Sequence, residues 1–425
     1  MSDRPDSPRA RDVLLRFGPM VYAPTALFAL GEGSVLPLIP IIAGALGADV
    51  ALSALVASLL VVGQLGGNIP AGWAVARFGE RTTMIAAGTL ALAVSVTAAL
   101  VPVLAVFAAA VFLTGFCAAA FGLARHSFMT TRVPIMFRAR ALSLLGGTFR
   151  FGMFAGPFVA AALVAVFGDE RVTLWFFAVC LIALIGLVAF GPDPEVQSAP
   201  VTARRFADVE DSGEPVTGSI PVAERVGVFR TMFRHRTVLA RVGLAAAAMS
   251  AVRSARQVVL PLWGVSIGLD ASTIALVVGI AGAIDFTLFY ASGQVMDRFG
   301  RLWAALPSMM LMGSGFLALA LTHETASPEM WFALFAAVIG VGNGLSSGIL
   351  LTVGADLAPP DDPAPFLGSW RTLTDAGGAS IQLMVSAVTA VSSLSFAAGG
   401  VGLIGLLGAV AFLRWLPRFT RGPER

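Results

Sequence analysis

The chain is 425 residues long, 57% hydrophobic and only 12% charged, about half the charge of an ordinary soluble domain. That balance excludes a water-soluble globular protein and puts most of the chain in lipid. Its 28 basic residues are all arginine, and they fall between apolar runs instead of forming a continuous patch, which argues against nucleic acid as a partner.

The opening "MSDRPDSPRARDVLLRFG" is polar, and the apolar run after it is too long for a signal core, so residues 1–18 are expected to be a cytoplasmic tail. Twelve apolar segments follow, starting near residues 19, 50, 82, 104, 141 and 172, then near 239, 271, 302, 328, 366 and 394. Each reaches or approaches the roughly 20 residues that a helix needs to cross the hydrocarbon core. The prediction is an all-α membrane protein with 12 transmembrane helices in two six-helix bundles, 19–191 and 239–416, a cytoplasmic linker over 192–238 and a cytoplasmic tail over 417–425. On this topology 22 arginines lie in tails and cytoplasmic loops, five lie inside spans and only Arg171 faces outward, a strong positive-inside bias that orients a multi-pass plasma-membrane protein. Late in the linker, Val226, Phe229, Met232 and Phe233 alternate with Arg225, Arg230, Arg234 and Arg236. This pattern predicts a short amphipathic helix on the inner leaflet, with a regulatory partner site as the alternative. Cys117 and Cys180 sit in apolar runs and are expected to be buried thiols.

The two groups of helices repeat one another. "AGWAVARFGE" and "SGQVMDRFGR" place Gly72, Arg77 and Gly79 against Gly293, Arg298 and Gly300, 221 residues apart. At the same offset "GADVALSAL" answers "GLDASTIAL", and "GTFRFGMFAGP" answers "GSWRTLTDAGG", pairing Arg150 with Arg371. A three-residue gap brings "GEGSVLPL" onto "ARQVVLPL", with Glu32 opposite Arg256. The chain reads as a duplicated six-helix unit.

These motifs resemble those of the major facilitator superfamily over nearly the whole chain. That family carries Gly-x-x-x-Asp-Arg-x-Gly-Arg between helices 2 and 3, with an echo between helices 8 and 9. Gly293, Asp297, Arg298, Gly300 and Arg301 match the echo, whereas the first copy has Ala76 and Glu80 in place of the acid and the final base. The resemblance implies that these loops are cytoplasmic latches whose acid rests on the start of a helix in the other half. Asp297 would then meet Arg138 and Arg140 at the start of helix 5. The reciprocal latch is expected with reversed polarity, Arg77 and Arg81 facing Asp356, Asp361 and Asp362. Gly152, Gly156 and Pro157 resemble the Gly-x-x-x-Gly-Pro element of the family's exporters, and physically they allow close helix packing and a kink. "GVGNGLSSG", within an apolar span and with no strand before it, is read as helix packing and not as a nucleotide loop.

Ionisable groups inside spans are costly, and each is a functional hypothesis. Here they are Glu32, Arg125, His126, Arg150, Arg253, Arg256, Asp285, Arg371 and Asp375. Glu32 lies about 20 Å into helix 1 at 1.5 Å per residue, and Arg253, Arg256 and Asp285 are similarly central; these four are the cavity candidates. Arg125, Arg150 and Arg371 lie nearer the cytoplasmic ends, where snorkelling or loop pinning is equally compatible. Arg371 and Asp375 are four apart and able to pair with each other. Because arginine does not deprotonate, a coupling proton needs Glu32, Asp285, Asp375 or His126. Asp285 with Arg253 or Arg256, and Glu32 with Arg256, are the expected partners.

The function expected is secondary transport by alternating access, with proton-coupled export of a small organic molecule, as in drug efflux by antiport. Five embedded arginines against three acids leave room for an organic-anion importer or exchanger. A non-transporting membrane receptor is a more distant alternative. An enzyme is not expected, since no nucleophile-base set or metal-ligand spacing occurs. No metal or cofactor is expected, and the partners expected are a small-molecule substrate, a proton and the lipid bilayer, with the protein a monomer.

Overall fold

The computed structural model describes residues 18–132, 135–191, 233–359 and 363–419, and every regular element among them is helical. The expectations for most of the two tails, for most of the amphipathic linker segment and for Asp361 and Asp362 lie outside the described residues. The long helices in chain order are α1 (Met20–Ala45), α2 (Val50–Phe78), α3 (Glu80–Leu100), α4 (Leu104–Arg132), α5 (Ile135–Phe167) and α6 (Val172–Phe190). After the linker come α7 (Arg236–Ser266), α8 (Ala271–Phe299), α9 (Arg301–Ala320), α10 (Pro328–Leu357), α11 (Pro363–Val391) and α12 (Leu394–Phe419). Eleven of them are long and apolar enough to cross a membrane; α11, with Arg371, Asp375 and Gln382 along it, is 29 residues long but is not among the eleven. The start expected near 141 falls instead at Ile135, because α5 continues past its apolar stretch through Arg138 and Arg140.

The repeated sequence blocks encode turns. Gly47 and Gly268 have φ of 93° and 82°, a left-handed geometry that favours glycine. Two residues later Asp49 and Asp270 cap α2 and α8, accepting from Leu52 N at 2.7 Å and from Thr273 N at 3.0 Å. Asp270 also accepts from the Thr273 hydroxyl at 2.6 Å, and this bond, then the backbone one, holds its carboxyl below the usual value. In the Arg-Phe-Gly blocks, Gly79 and Gly300 take φ of 81° and 92° and turn α2 into α3 and α8 into α9. Proline explains a further interruption: Pro37 lies within a 3₁₀ turn, Leu36–Leu38, inside α1, and Pro40 follows at the start of the next turn of helix.

The first six helices pack among themselves, as do the last six, and the two sets meet chiefly along α5 with α8 and α2 with α11. Those seams hold at the end of the bundle that carries Asp49 and Asp270. There Ser386 Oγ donates to the Ala51 carbonyl at 3.1 Å, and Ser272 Oγ donates to the Ala161 carbonyl at 3.3 Å. Phe154 stacks on Phe286 at 4.8 Å further in. Towards the opposite end, called here the basic end for Arg77, Arg81, Arg298 and Arg301, the sets enclose a cavity.

Gly152 and Gly156 bring α5 against α1. A Cβ at Gly156 would stand 2.5 Å from the Gly33 carbonyl carbon and 2.6 Å from Ser34 N, and one at Gly152 would stand 2.7 Å from Leu30 N. Backbone cannot yield as a side chain can, so Gly156→Val should destabilise the protein by at least the roughly 1–3 kcal/mol of ordinary overpacking. Gly147→Ala, where an added Cβ meets nothing within 4 Å, is the control. Thermal melting in detergent checks the pair; equal melting temperatures would contradict the packing assignment.

Candidate functional site

The cavity at the basic end has a volume of about 740 Å³ and draws on both sets of helices. Glu32 from α1 and Arg125 and His126 from α4 line it, together with Arg371 and Asp375 from α11. Gln64 and Asn68 from α2 and Ser250, Ser254 and Gln257 from α7 add uncharged polar groups. Glu32 is only 5% exposed, and it shares this cavity with Arg125. The Arg125 guanidinium lies over Phe149 at 4.7 Å, and its Nη1 is buried with no hydrogen-bond partner. Arg371 Nε stands 3.5 Å from the Asp375 carboxylate, one turn along the same helix. Two arginines therefore face two carboxylates in this cavity.

The other embedded charges gather deeper, between α5, α7 and α8. Arg150, Arg256 and Asp285 line a smaller cavity of about 100 Å³, with Met153, Phe154, Leu260 and Phe286 as its apolar walls. Arg256 Nη2 lies 3.5 Å from Asp285 Oδ2, and Asn343 Nδ2 donates to the same oxygen at 2.7 Å. Asp285 Oδ1 is buried without a partner. Arg150 lies over Phe289 at 4.5 Å, and no acceptor for its guanidinium occurs among the described residues. Arg253 lines neither cavity; its Nη1 donates to the Ser346 carbonyl at 3.2 Å. Gln257 lines both cavities and joins them.

Of the expected pairings, Asp285 with Arg256 forms, as does Arg371 with Asp375. Glu32 with Arg256 does not. The two occupy matching places in the repeat, but Arg256 reaches Asp285 on α8, while Glu32 shares its cavity with Arg125 of α4. Arg253, expected as a cavity group, is taken up by a break in α10. That helix is interrupted between Leu345 and Ile349, with Gly348 at φ 79°. The freed carbonyls are met by side chains: Ser292 Oγ donates to Leu345 and Ser347, and Arg253 donates to Ser346. The glycines of "GVGNGLSSG" do pack closely, since a Cβ at Gly340 would meet the Ala281 carbonyl oxygen at 2.7 Å and one at Gly344 the Asp285 oxygen at 3.0 Å. Asn343, Ser292 and Gln257 escaped the sequence reading because they carry no charge.

At the basic end the latch contacts seen among the described residues lie within one set of helices. Asp297, 85% exposed, lies 3.7 Å from Arg301, which reaches Asp356 on α10 at 2.9 Å. Arg81 donates to the Val188 and Ala189 carbonyls at the end of α6, at 2.9 and 2.7 Å. Of the acids expected in the reversed latch with Arg77 and Arg81, Asp356 is held by Arg301, while Asp361 and Asp362 lie outside the described residues. The unusual Glu80, which replaces the base found at Arg301, accepts from Ser127 Oγ on α4 at 3.1 Å. The side chains of Arg138 and Arg140 lie outside the described residues.

A family-wide sequence profile described as Major Facilitator Superfamily matches residues 23–382. Among solved structures, a D-xylose-proton symporter is similar at a TM-score of 0.70 and 15% identity, covering 97% of this chain and 98% of that one. An inward open xylose transporter XylE from E. coli matches at 0.68 and 14%, covering 98% of each chain. A POT family transporter in complex with a thioalcohol conjugated peptide matches at 0.72 and 13%, covering 97% of each. At these identities the likeness is one of fold. No curated protein matches. With the family profile spanning 360 of the 425 residues (382 − 23 + 1), the chain belongs to the Major Facilitator Superfamily.

Proposed function

We propose that the protein is a secondary active transporter that moves a small organic molecule by alternating access, its two halves, 19–191 and 239–416, rocking about the central cavity. The observation that carries this reading is the 740 Å³ cavity between the two sets of helices, reachable from the basic end and closed at the other by the α5–α8 and α2–α11 seams. Arginine bias makes the basic end cytoplasmic, so this conformation faces inward. Helices α1 to α12 are then the twelve spans, in a bacterial plasma membrane with both termini inside and the protein a monomer.

Proton coupling is assigned to Glu32 and Asp285, the carboxylates that stand beside arginines in the two joined cavities. Movement of Arg125 or Arg256 during rocking would change how readily the facing acid holds its proton. The export direction is supported by Gly152, Gly156 and Pro157 in α5. The second reading, an organic-anion importer or exchanger, is favoured by the arginine excess around Asp285. A ligand chosen by thermal-shift screening and followed in oriented vesicles separates these readings. Export by antiport predicts uptake into everted vesicles with an acid interior. Uptake into right-side-out vesicles with an acid exterior would establish import, and binding without flux in either would establish a receptor.

The latches supply a smaller test. Asp297→Asn should raise labelling of a cavity cysteine at Asn68, in a background with Cys117 and Cys180 replaced by serine, because the latch holds only the outward-facing state. An exposed ion pair is worth about 0–1 kcal/mol, so the increase should not exceed roughly fivefold. Unchanged labelling would mean that Asp297 bears on neither state.

A further inference from the structure

Charge is distributed unequally between the two cavities. In the larger one two arginines face two carboxylates, Glu32 and Asp375. The smaller one is lined by two arginines, Arg150 and Arg256, and one carboxylate, Asp285. Among the described residues Arg253 has the Ser346 carbonyl, Arg256 has one 3.5 Å contact to Asp285, and Arg150 has the face of Phe289 and no acceptor. The lining therefore holds one positive charge in excess, and such a charge inside a helical bundle is costly unless an anion or water offsets it. The α10 break uses neither Arg150 nor Arg256, since its carbonyls are met by Arg253 and Ser292.

Resting on the transporter reading, we infer that Arg150 and Arg256 form an oxyanion subsite that receives the carboxylate or phosphate group of an anionic substrate. The guanidinium fork suits both groups, which accept two parallel hydrogen bonds. The size suits a head group, about 100 Å³ beside a neighbouring cavity of about 740 Å³. Gln257 borders both cavities, so the rest of the molecule extends past it into the larger, charge-balanced space. Asp285 then acts as an internal substitute for the substrate, holding Arg256 until an external anion competes for it. This makes the cargo an organic anion with a compact oxyanion at one end and a neutral polar body.

The test uses small anions that need no body. Purified full-length protein is titrated with sodium acetate, inorganic phosphate and acetamide at constant ionic strength and followed by thermal unfolding. Acetate, phosphate or both should stabilise saturably, the two arms telling a carboxylate site from a phosphate site, while neutral acetamide should not. Arg150→Gln and Arg256→Gln should each weaken the effect about tenfold or more, as expected for loss of a charge-assisted hydrogen bond. Asp285→Asn, which leaves Arg256 without its internal acid, should tighten binding, a gain that misfolding cannot produce. Absence of stabilisation by both anions in the wild type overturns the proposal, as does binding that is unaltered in both arginine variants and in Asp285→Asn. Oxyanion binding without flux in vesicles would leave this site standing and remove the transporter reading instead.

Discussion

Asp285→Asn abolishes accumulation driven by a proton gradient and leaves exchange of substrate for substrate measurable. Asparagine keeps the shape of the group and an acceptor for Asn343, 2.7 Å away in the wild type, but it cannot carry a proton. The substitution also removes the partner of Arg256. Breaking a fully buried pair costs about 3–5 kcal/mol; here the side chains retain 19% and 16% exposure, so the loss of stability should be smaller and the protein should still fold. Gradient-driven uptake and counterflow in proteoliposomes check the split. Uphill transport by Asp285→Asn at the wild-type rate would make the residue structural and leave Glu32 as the coupling acid.

Glu32 and Arg125 form the second large effect. Glu32→Gln leaves Arg125 buried without its opposing charge, and Arg125→Gln does the same to a glutamate only 5% exposed. Each single change should reduce transport strongly and lower the melting temperature. The double change should be less harmful than the sum, with a coupling of about 0.5–3 kcal/mol. The parallel cycle of Glu32→Gln with Arg256→Gln should be nearly additive, because Arg256 bonds to Asp285 instead. Strong coupling in the second cycle and none in the first would reverse the assignment.

Much of the architecture was legible because the repeat is written in turn chemistry. A glycine two residues before an N-capping aspartate, and an Arg-Phe-Gly at the end of a long apolar run, each specify a local geometry, and both halves carry them. Partnership among the embedded charges was not legible in the same way. Depth along a helix follows from counting residues, but the direction in which a side chain points follows from the packing of helices distant in sequence, so Glu32 and Arg256 looked like partners by symmetry alone. The α10 break was hidden for a related reason: "GNGLSSG" is as compatible with close packing as with interruption, and only the carbonyls met by Ser292 and Arg253 reveal that it is both. Asn343 carries no charge, yet it fixes Asp285 more closely than Arg256 does.

Of the reversed latch, the described residues show only part: Asp356 meets Arg301, and Arg81 meets the last carbonyls of α6.

Alternating access itself is tested most directly by distances at the two ends of the bundle in lipid. Spin labels at Arg77 and Arg298 report on the basic end, and labels at Asp169 and Ser392 report on the other. Double electron-electron resonance on each pair, at neutral and acid pH and with acetate or phosphate added, should give two populations per pair. The fraction with a long distance at the basic end should rise and fall with the fraction that has a short distance at the opposite end. A single unchanging distance at both ends under every condition would contradict the account, leaving a rigid binding protein on a transporter's frame.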